Sequence, residues 1–137
     1  MADQVRLEVV TPNREVASIT TDEVVQLPGG DGLFGVLPGH SGLMTTLTPG
    51  VVSWMIDPDN DAGLVVGGGF AVVQDNVVTV LAESAELPGE IDVDAAQKAL
   101  AEAEGELPTA TSLEEESAVR ERIALQNSRV EARARWE

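Results

Sequence analysis

The sequence predicts an all-β N-terminal sandwich of about ten strands in two sheets, followed by a C-terminal antiparallel α-helical hairpin. Three observations carry this. Short valine-rich runs, separated by Gly, Pro, Asn and Asp, recur along residues 1–87 at the spacing of a sandwich or barrel. The pattern changes at Leu87-Pro88-Gly89-Glu90, after which alanine, glutamate and arginine dominate. The core must be aliphatic, because the chain has two Phe, two Trp and no Tyr. Residues 1–87 are therefore expected to form the sandwich domain and residues 88–137 a helix-loop-helix domain.

Val5-Arg-Leu-Glu-Val9 alternates apolar and polar residues, the period of a half-buried strand. Thr11-Pro12-Asn13-Arg14 is a turn, and Glu15–Thr20 and Glu23–Leu27 are two further strands. Leu43–Leu47 is predicted to end at Thr48-Pro49-Gly50 and to be followed by Val51–Ile56. Asp57-Pro-Asp59-Asn-Asp61 has the look of a calcium loop. Ala62 and Gly68 stand where such a loop needs glycine and a bidentate glutamate, so a solvated hairpin turn is expected. Gly67-Gly68-Gly69 separates strands Leu64–Val66 and Phe70–Gln74 and predicts a bulge or close backbone packing. Asp75-Asn76 then makes a tight hairpin to Val77–Leu81.

Asp92 is an N-cap for a helix stopped by Gly105 and Pro108, with Val93, Ala96, Leu100 and Ala103 on one face. Ser112-Leu-Glu-Glu115 is a capping box for a second helix reaching about Trp136, with Glu116–Arg120 and Glu131–Arg135 at i,i+4 spacing. An alanine-rich face gains little by docking, since each buried CH₂ contributes about 0.8 kcal/mol. The hairpin is therefore expected to be weakly held and able to leave the sandwich.

The stretch Gly32-Leu-Phe-Gly-Val-Leu-Pro-Gly-His-Ser-Gly-Leu43 organises the chain. It places glycines, a proline and the single histidine among apolar residues, where a loop normally carries polar ones. Leu33, Phe34, Val36 and Leu37 must be buried or presented to a partner.

Chemistry is limited by residue supply: one His, one Lys, no Cys and no Tyr. No catalytic centre, metal site or cofactor is expected, and His40 has no evident base beside it. The net charge of −16 argues against nucleic acid and anionic lipid as partners. The N-terminus resembles no signal peptide, no apolar run is long enough to insert in a membrane, and a cytoplasmic protein is expected. Residues 1–111 carry eighteen acids and three bases, whereas residues 112–137 carry six acids and five arginines. An arm of that kind is steered toward an acidic partner surface. Arg122, Arg129 and Arg133, spaced seven and four, fall near one side of the second helix. A stand-alone acidic adaptor and a carboxylate-based hydrolase are the other classes compatible with these features.

Val9-Val10-Thr11-Pro12-Asn13-Arg14, Leu27-Pro28-Gly29, Gly35-Val36-Leu37-Pro38-Gly39-His40, Leu47-Thr48-Pro49-Gly50, Gly68-Gly69-Phe70 and Val78-Thr79-Val80-Leu81-Ala82-Glu83 occur in that order. Together with the helical hairpin, they resemble the epsilon subunit of bacterial F-type ATP synthases over the whole chain. The resemblance implies a ten-stranded sandwich bound between the gamma subunit and the ring of c subunits. It implies a hairpin that folds down on the sandwich or extends into the alpha/beta catalytic head and inhibits ATP hydrolysis. It implies that Leu33, Phe34, Gly35, Val36, Leu37, Pro38, Gly39 and His40 lie near the rotor contact, and that Arg120, Arg122, Arg129 and Arg133 face acidic segments of the head. The expected location is peripheral, on the cytoplasmic face of the bacterial inner membrane.

Two departures stand out. Ile91-Asp92-Val93-Asp94-Ala95-Ala96 has Ala95 where many relatives place an arginine that helps bind ATP, so weak or no nucleotide binding is expected. Leu33 stands where some relatives have an acid.

Overall fold

The computed structural model describes residues 4–136. The strands are β1 (Val5–Val10), β2 (Glu15–Thr21), β3 (Val25–Gly29), β4 (Gly32–Val36), β5 (Leu43–Asp57), β6 (Asn60–Gln74), β7 (Val77–Ala82) and β8 (Ala85–Glu86). They hydrogen-bond in the order β2-β1-β7-β6-β5-β3-β4, with β8 also on β6. β1 and β7 are parallel; the other pairs are antiparallel.

The sheet folds on itself because β5 and β6 bend together. β6 pairs β7 through residues 69–74 and β8 through residues 65 and 66. At the corner between, Glu83 N–H donates to Gly68 O and Gly67 N–H to Ser84 O, both at 2.9 Å. The eight strands form one continuous sheet, where two sheets were expected; counting the halves of β5 and β6 separately gives the ten strand segments of the predicted sandwich. The core confirms the closure. Val5, Leu7 and Val9 of β1 share one buried cluster with Val25 and Leu27 of β3 and Val36 of β4, although these strands lie toward opposite ends of the pairing order. Each such side chain contributes about 1.5–3 kcal/mol.

The triple glycine works at this corner. Gly68 and Gly69 have φ of 104° and 140°, a region that side chains disfavour. A Cβ on Gly69 would collide with the Leu81 carbonyl oxygen. The Asp75-Asn76 hairpin is as predicted, both residues having positive φ.

Four local expectations are corrected. Gly32–Val36 is not loop but strand β4, because its backbone completes the edge of β3. Pro49-Gly50 does not end a strand: β5 continues through it, since a proline is tolerated where a strand bends. The triple glycine likewise lies within one continuous β6. Gly105 does not stop the first helix. α1 spans Val93–Glu106 and gives way to a 3-10 turn, Leu107–Thr109, that contains Pro108.

α2 spans Leu113–Trp136 and lies antiparallel against α1 and over β5 and β6. Ala96 and Ala103 of the predicted α1 face are fully buried; Val93 and Leu100 are half-buried. Asp92 caps α1, accepting from Ala95 N–H at 3.1 Å. The capping box of α2 is offset. Ser112 Oγ accepts from Glu115 N–H at 3.1 Å, but the Glu115 carboxylate turns to Thr111, accepting from its N–H at 2.8 Å and its hydroxyl at 2.9 Å. These bonds hold the Glu115 carboxyl below its ordinary range.

Candidate functional site

Three surfaces stand out, two of them carrying residues singled out by sequence. The first is β4 and the turn after it. Alternation on β4 sends Val36 into the core and Phe34 onto its margin, where the ring lies 2.9 Å from the Cβ position of Gly29. Leu33 and Leu37 point outward, 65% and 57% exposed. The stretch thus divides into a buried support and two presented leucines. Leu37-Pro38-Gly39-His40 closes as a turn, with His40 N–H donating to Leu37 O at 3.1 Å. Gly39 N–H donates to Asn76 Oδ1 at 2.7 Å, tying this turn to the β6–β7 hairpin. The His40 ring nitrogen Nδ1 lies 2.6 Å from its neighbour's carbonyl, Ser41 O, and donates to it.

The second surface was not singled out by the sequence. Met44, Phe70 and Leu81 stand on the outer face of neighbouring segments of β5, β6 and β7, with Phe70 directly opposite Leu81 and Thr46. Met44 is 70% exposed, and about half of Phe70 and Leu81 faces solvent. Beside them lies a groove of about 680 Å³ lined by Pro12, Pro49, the triple glycine, Glu83 and Glu121. Adjacent large apolar side chains on one open face are a partner-binding signature. Their sequence signal was masked, because Val77–Ala82 carries valine or leucine in both phases of the strand period and only the fold reveals which phase faces out.

The third surface is the docked hairpin. Arg122 grips Glu106 of α1 with two bonds of 2.8 Å. This pair holds the Glu106 carboxyl below its ordinary range, chiefly through the hydrogen bonds. Arg129 Nη2 donates to Glu86 Oε2 at 3.2 Å and Nη1 to Gln126 Oε1 at 2.8 Å. Its Nε lies 2.8 Å from Glu86 Oε1 but off the line of a hydrogen bond, so that contact is purely coulombic. Arg133 Nη1 donates to Ile91 O at 2.9 Å, beside the carbonyls of Pro88 and Gly89. Arg120 pairs with Glu116 at 2.8 Å as predicted. Arg135 does not turn to Glu131. It reaches the sandwich and pairs with Asp61, because the last turn of α2 lies against the β5–β6 hairpin.

The nucleotide remnant is occupied by structural duties. Ile91 is buried with Val65 and Ala132, Asp92 is the α1 cap and Ala95 is exposed. The Asp57 carboxylate is taken up by its own turn, accepting from Asp59 N–H at 2.9 Å and from the Asn60 amide at 3.0 Å. Among the described residues, no three His, Cys, Asp or Glu side chains gather as metal ligands, and no helix is long and apolar enough to cross a membrane.

Residues 4–88 match the family model described as the ATP synthase delta/epsilon chain beta-sandwich domain. The ATP synthase epsilon chain of Anaeromyxobacter sp. (strain K) is 44% identical over 109 residues, covering 80% of this chain and 81% of that protein. That of Carboxydothermus hydrogenoformans is 43% identical over 111 residues, 81% of each. In fold, the chain is similar to one in the cryo-EM structure of the Euglena gracilis mitochondrial ATP synthase OSCP/F1/c-ring. The TM-score is 0.75 at 22% identity, over 93% of this chain and 80% of that one. It is also similar to one in the Tetrahymena thermophila mitochondrial ATP synthase central stalk and c-ring. There the TM-score is 0.63 at 16% identity, over 94% and 96%.

Proposed function

The chain belongs to the ATP synthase epsilon-chain family, and from that premise we propose that it is a non-catalytic central-stalk subunit of a proton-translocating F-type ATP synthase. In this reading it couples the gamma subunit to the c-ring and restrains ATP hydrolysis through its C-terminal helices. It sits peripherally on the cytoplasmic face of the bacterial inner membrane.

The observation that carries the reading is a division of labour between two parts of the chain. The sandwich has a continuous aliphatic core and presents apolar side chains outward at Leu33, Leu37, Met44, Phe70 and Leu81. The helices bury few large side chains and are tied down mainly by arginines. A rigid unit with apolar docking faces suits permanent attachment to a rotor. A unit held by polar ties suits a reversible arm, because those ties can be exchanged for others elsewhere. In this assignment Leu33 to His40 make the rotor contact, and Arg120, Arg122, Arg129 and Arg133 engage the alpha/beta head when the arm extends. Weak or no nucleotide binding goes with this reading, since Ala95 offers no phosphate-pairing group.

The test is ATP hydrolysis by the assembled complex with and without residues 112–137. Deletion is expected to raise hydrolysis while the chain still co-purifies with the complex. Unchanged turnover would remove the inhibitory role, and failure to co-purify with an ATPase would remove the reading altogether.

A further inference from the structure

The grip of α2 on the sandwich is uneven. Only Val119 and Ala132 of α2 are buried. Val119 belongs to the half of α2 that carries the Arg122–Glu106 tie to α1. Between the first half of α2 and the sandwich corner lies an open gap, lined by Thr48 and Pro49 on one side and by Leu113, Ser117 and Ala124 on the other. The contacts that hold α2 down lie further along. Leu125, Ala132 and Trp136 pack against Val51, Val65 and Ile91, and polar ties run from Arg129, Arg133, Arg135 and Trp136.

The last of these ties has a built receptor. Asp61 Oδ2 accepts from Arg135 Nη2, while Oδ1 of the same carboxylate accepts from the Trp136 indole N–H at 3.1 Å. The Arg135 guanidinium lies over the indole, 4.6 Å from the ring centroid, so cation and ring support each other. Two residues along β6, on the same side of the strand, stands Gly63. The three atoms nearest to a Cβ at Gly63 all belong to the Trp136 ring, at distances no real Cβ tolerates. Gly63 is not among the positive-φ residues, so its backbone does not call for glycine. The missing side chain makes room for the indole. A half-buried indole also needs an acceptor for its N–H, and Asp61 supplies it.

We infer that Asp61 and Gly63 form a seat for the Arg135–Trp136 pair, and that occupancy of this seat governs whether α2 stays docked. Unseating the last turn removes the ties farthest from the α1–α2 junction and leaves only the Leu125 and Ala132 packing and the Arg129 and Arg133 bonds to keep α2 on the sandwich. The consequence for catalysis rests on the proposed inhibitory role of the hairpin; the seat itself does not.

The experiment uses the full chain, first isolated and then assembled. Hydrogen exchange of α2 amides reports docking, and Trp136 emission in a Trp54→Phe background reports the seat. Gly63→Ala adds one methyl group and touches no polar group. It is expected to speed α2 exchange at least tenfold and red-shift Trp136 emission, leaving the β1 and β7 amides as protected as before. Asp61→Ala is expected to do the same by removing the acceptor. In a double-mutant cycle, Gly63→Ala should add nothing once Trp136→Ala is present, because the two act on one contact. Unchanged α2 exchange in Gly63→Ala, or full additivity with Trp136→Ala, would overturn the seat. In the assembled enzyme, Gly63→Ala should slow ATP hydrolysis by freeing the arm to extend. Loosened α2 with wild-type turnover would uphold the seat and overturn the inhibitory reading, so the two failures are distinguishable.

Discussion

Arg14 and Glu90, seventy-six positions apart, meet in a two-pronged pair with bonds of 2.9 and 2.6 Å. It joins the β1–β2 turn to the connector between sandwich and helices. Glu90 Oε1 also accepts from Leu87 N–H at 2.9 Å. The connector is therefore fastened to the sandwich as far as Glu90.

The first prediction follows from that fastening. The hydrogen bonds from Arg14, then the Leu87 N–H, hold the Glu90 carboxyl below its ordinary range; Arg122 does the same for Glu106. A carboxyl with a depressed folded value contributes stability that is present above the unfolded value and lost as pH falls through the folded one. Both ties should thus be intact at neutral pH and fail only below about pH 4.5. Carboxyl-carbon NMR titration should place both midpoints below ordinary glutamates. Arg122→Ala should raise that of Glu106 and leave Glu90 unmoved.

A second prediction concerns autonomy. The aliphatic core lies wholly within the strands, with Leu87 packed on its margin, so the sandwich should fold without the helices. A fragment ending at Glu90 keeps the carboxylate that Arg14 and Leu87 use, whereas one ending at Leu87 loses it. Both should show cooperative β-type melts by circular dichroism, the longer one at the higher temperature. An unfolded 1–90 fragment would refute the two-part architecture.

A third prediction separates support from contact on β4. Val36 is fully buried and Leu37 is not. Val36→Ala should cost about 2 kcal/mol of stability and affect partner binding only through that loss. Leu33→Asp and Leu37→Asp should leave the melting temperature nearly unchanged and weaken co-assembly with the rotor. Phe34→Asp is expected to do both, because Phe34 straddles the core margin.

The two-part architecture was legible because the sequence changes period and composition at one place, Leu87 to Glu90. The caps were legible because Asp92 and Ser112 act within a few residues of themselves. What escaped was set by distant backbone. The strand character of Gly32–Val36 comes from pairing with β3, against its own glycines. β5 and β6 run through their Pro and Gly because each supports the other around the bend. Arg135 looked like a local partner of Glu131. Its actual acid, Asp61, lies seventy-four positions away, and only the packing of α2 on the β5–β6 hairpin brings the two together.

The final prediction concerns the direction in which the arginines act. Docked, Arg122 and Arg129 are held by Glu106 and Glu86, and Arg133 by carbonyls around Ile91. If α2 extends as proposed, it gives up these bonds, so the acidic surface it meets must offer more than they do. Moving a two-state arm from mostly docked to mostly extended takes about 5.5 kcal/mol of differential binding. Arg122 and Glu106 are each about half exposed, and an exposed pair contributes little either way, so the effect must be collective. Removing the arginines weakens both states, but a water-poor cavity depends on them more strongly. Replacing Arg122, Arg129 and Arg133 together with alanine should therefore relieve inhibition and raise ATP hydrolysis, with assembly unchanged. Glu86→Gln with Glu106→Gln takes the charge out of two docked ties and leaves the arginines in place, so it should act in the opposite direction and deepen inhibition. Turnover of the assembled enzyme, measured for both variants at low and high salt, decides the matter. If both variants shift turnover the same way, the arginines serve only to hold the hairpin down and the head does not read them.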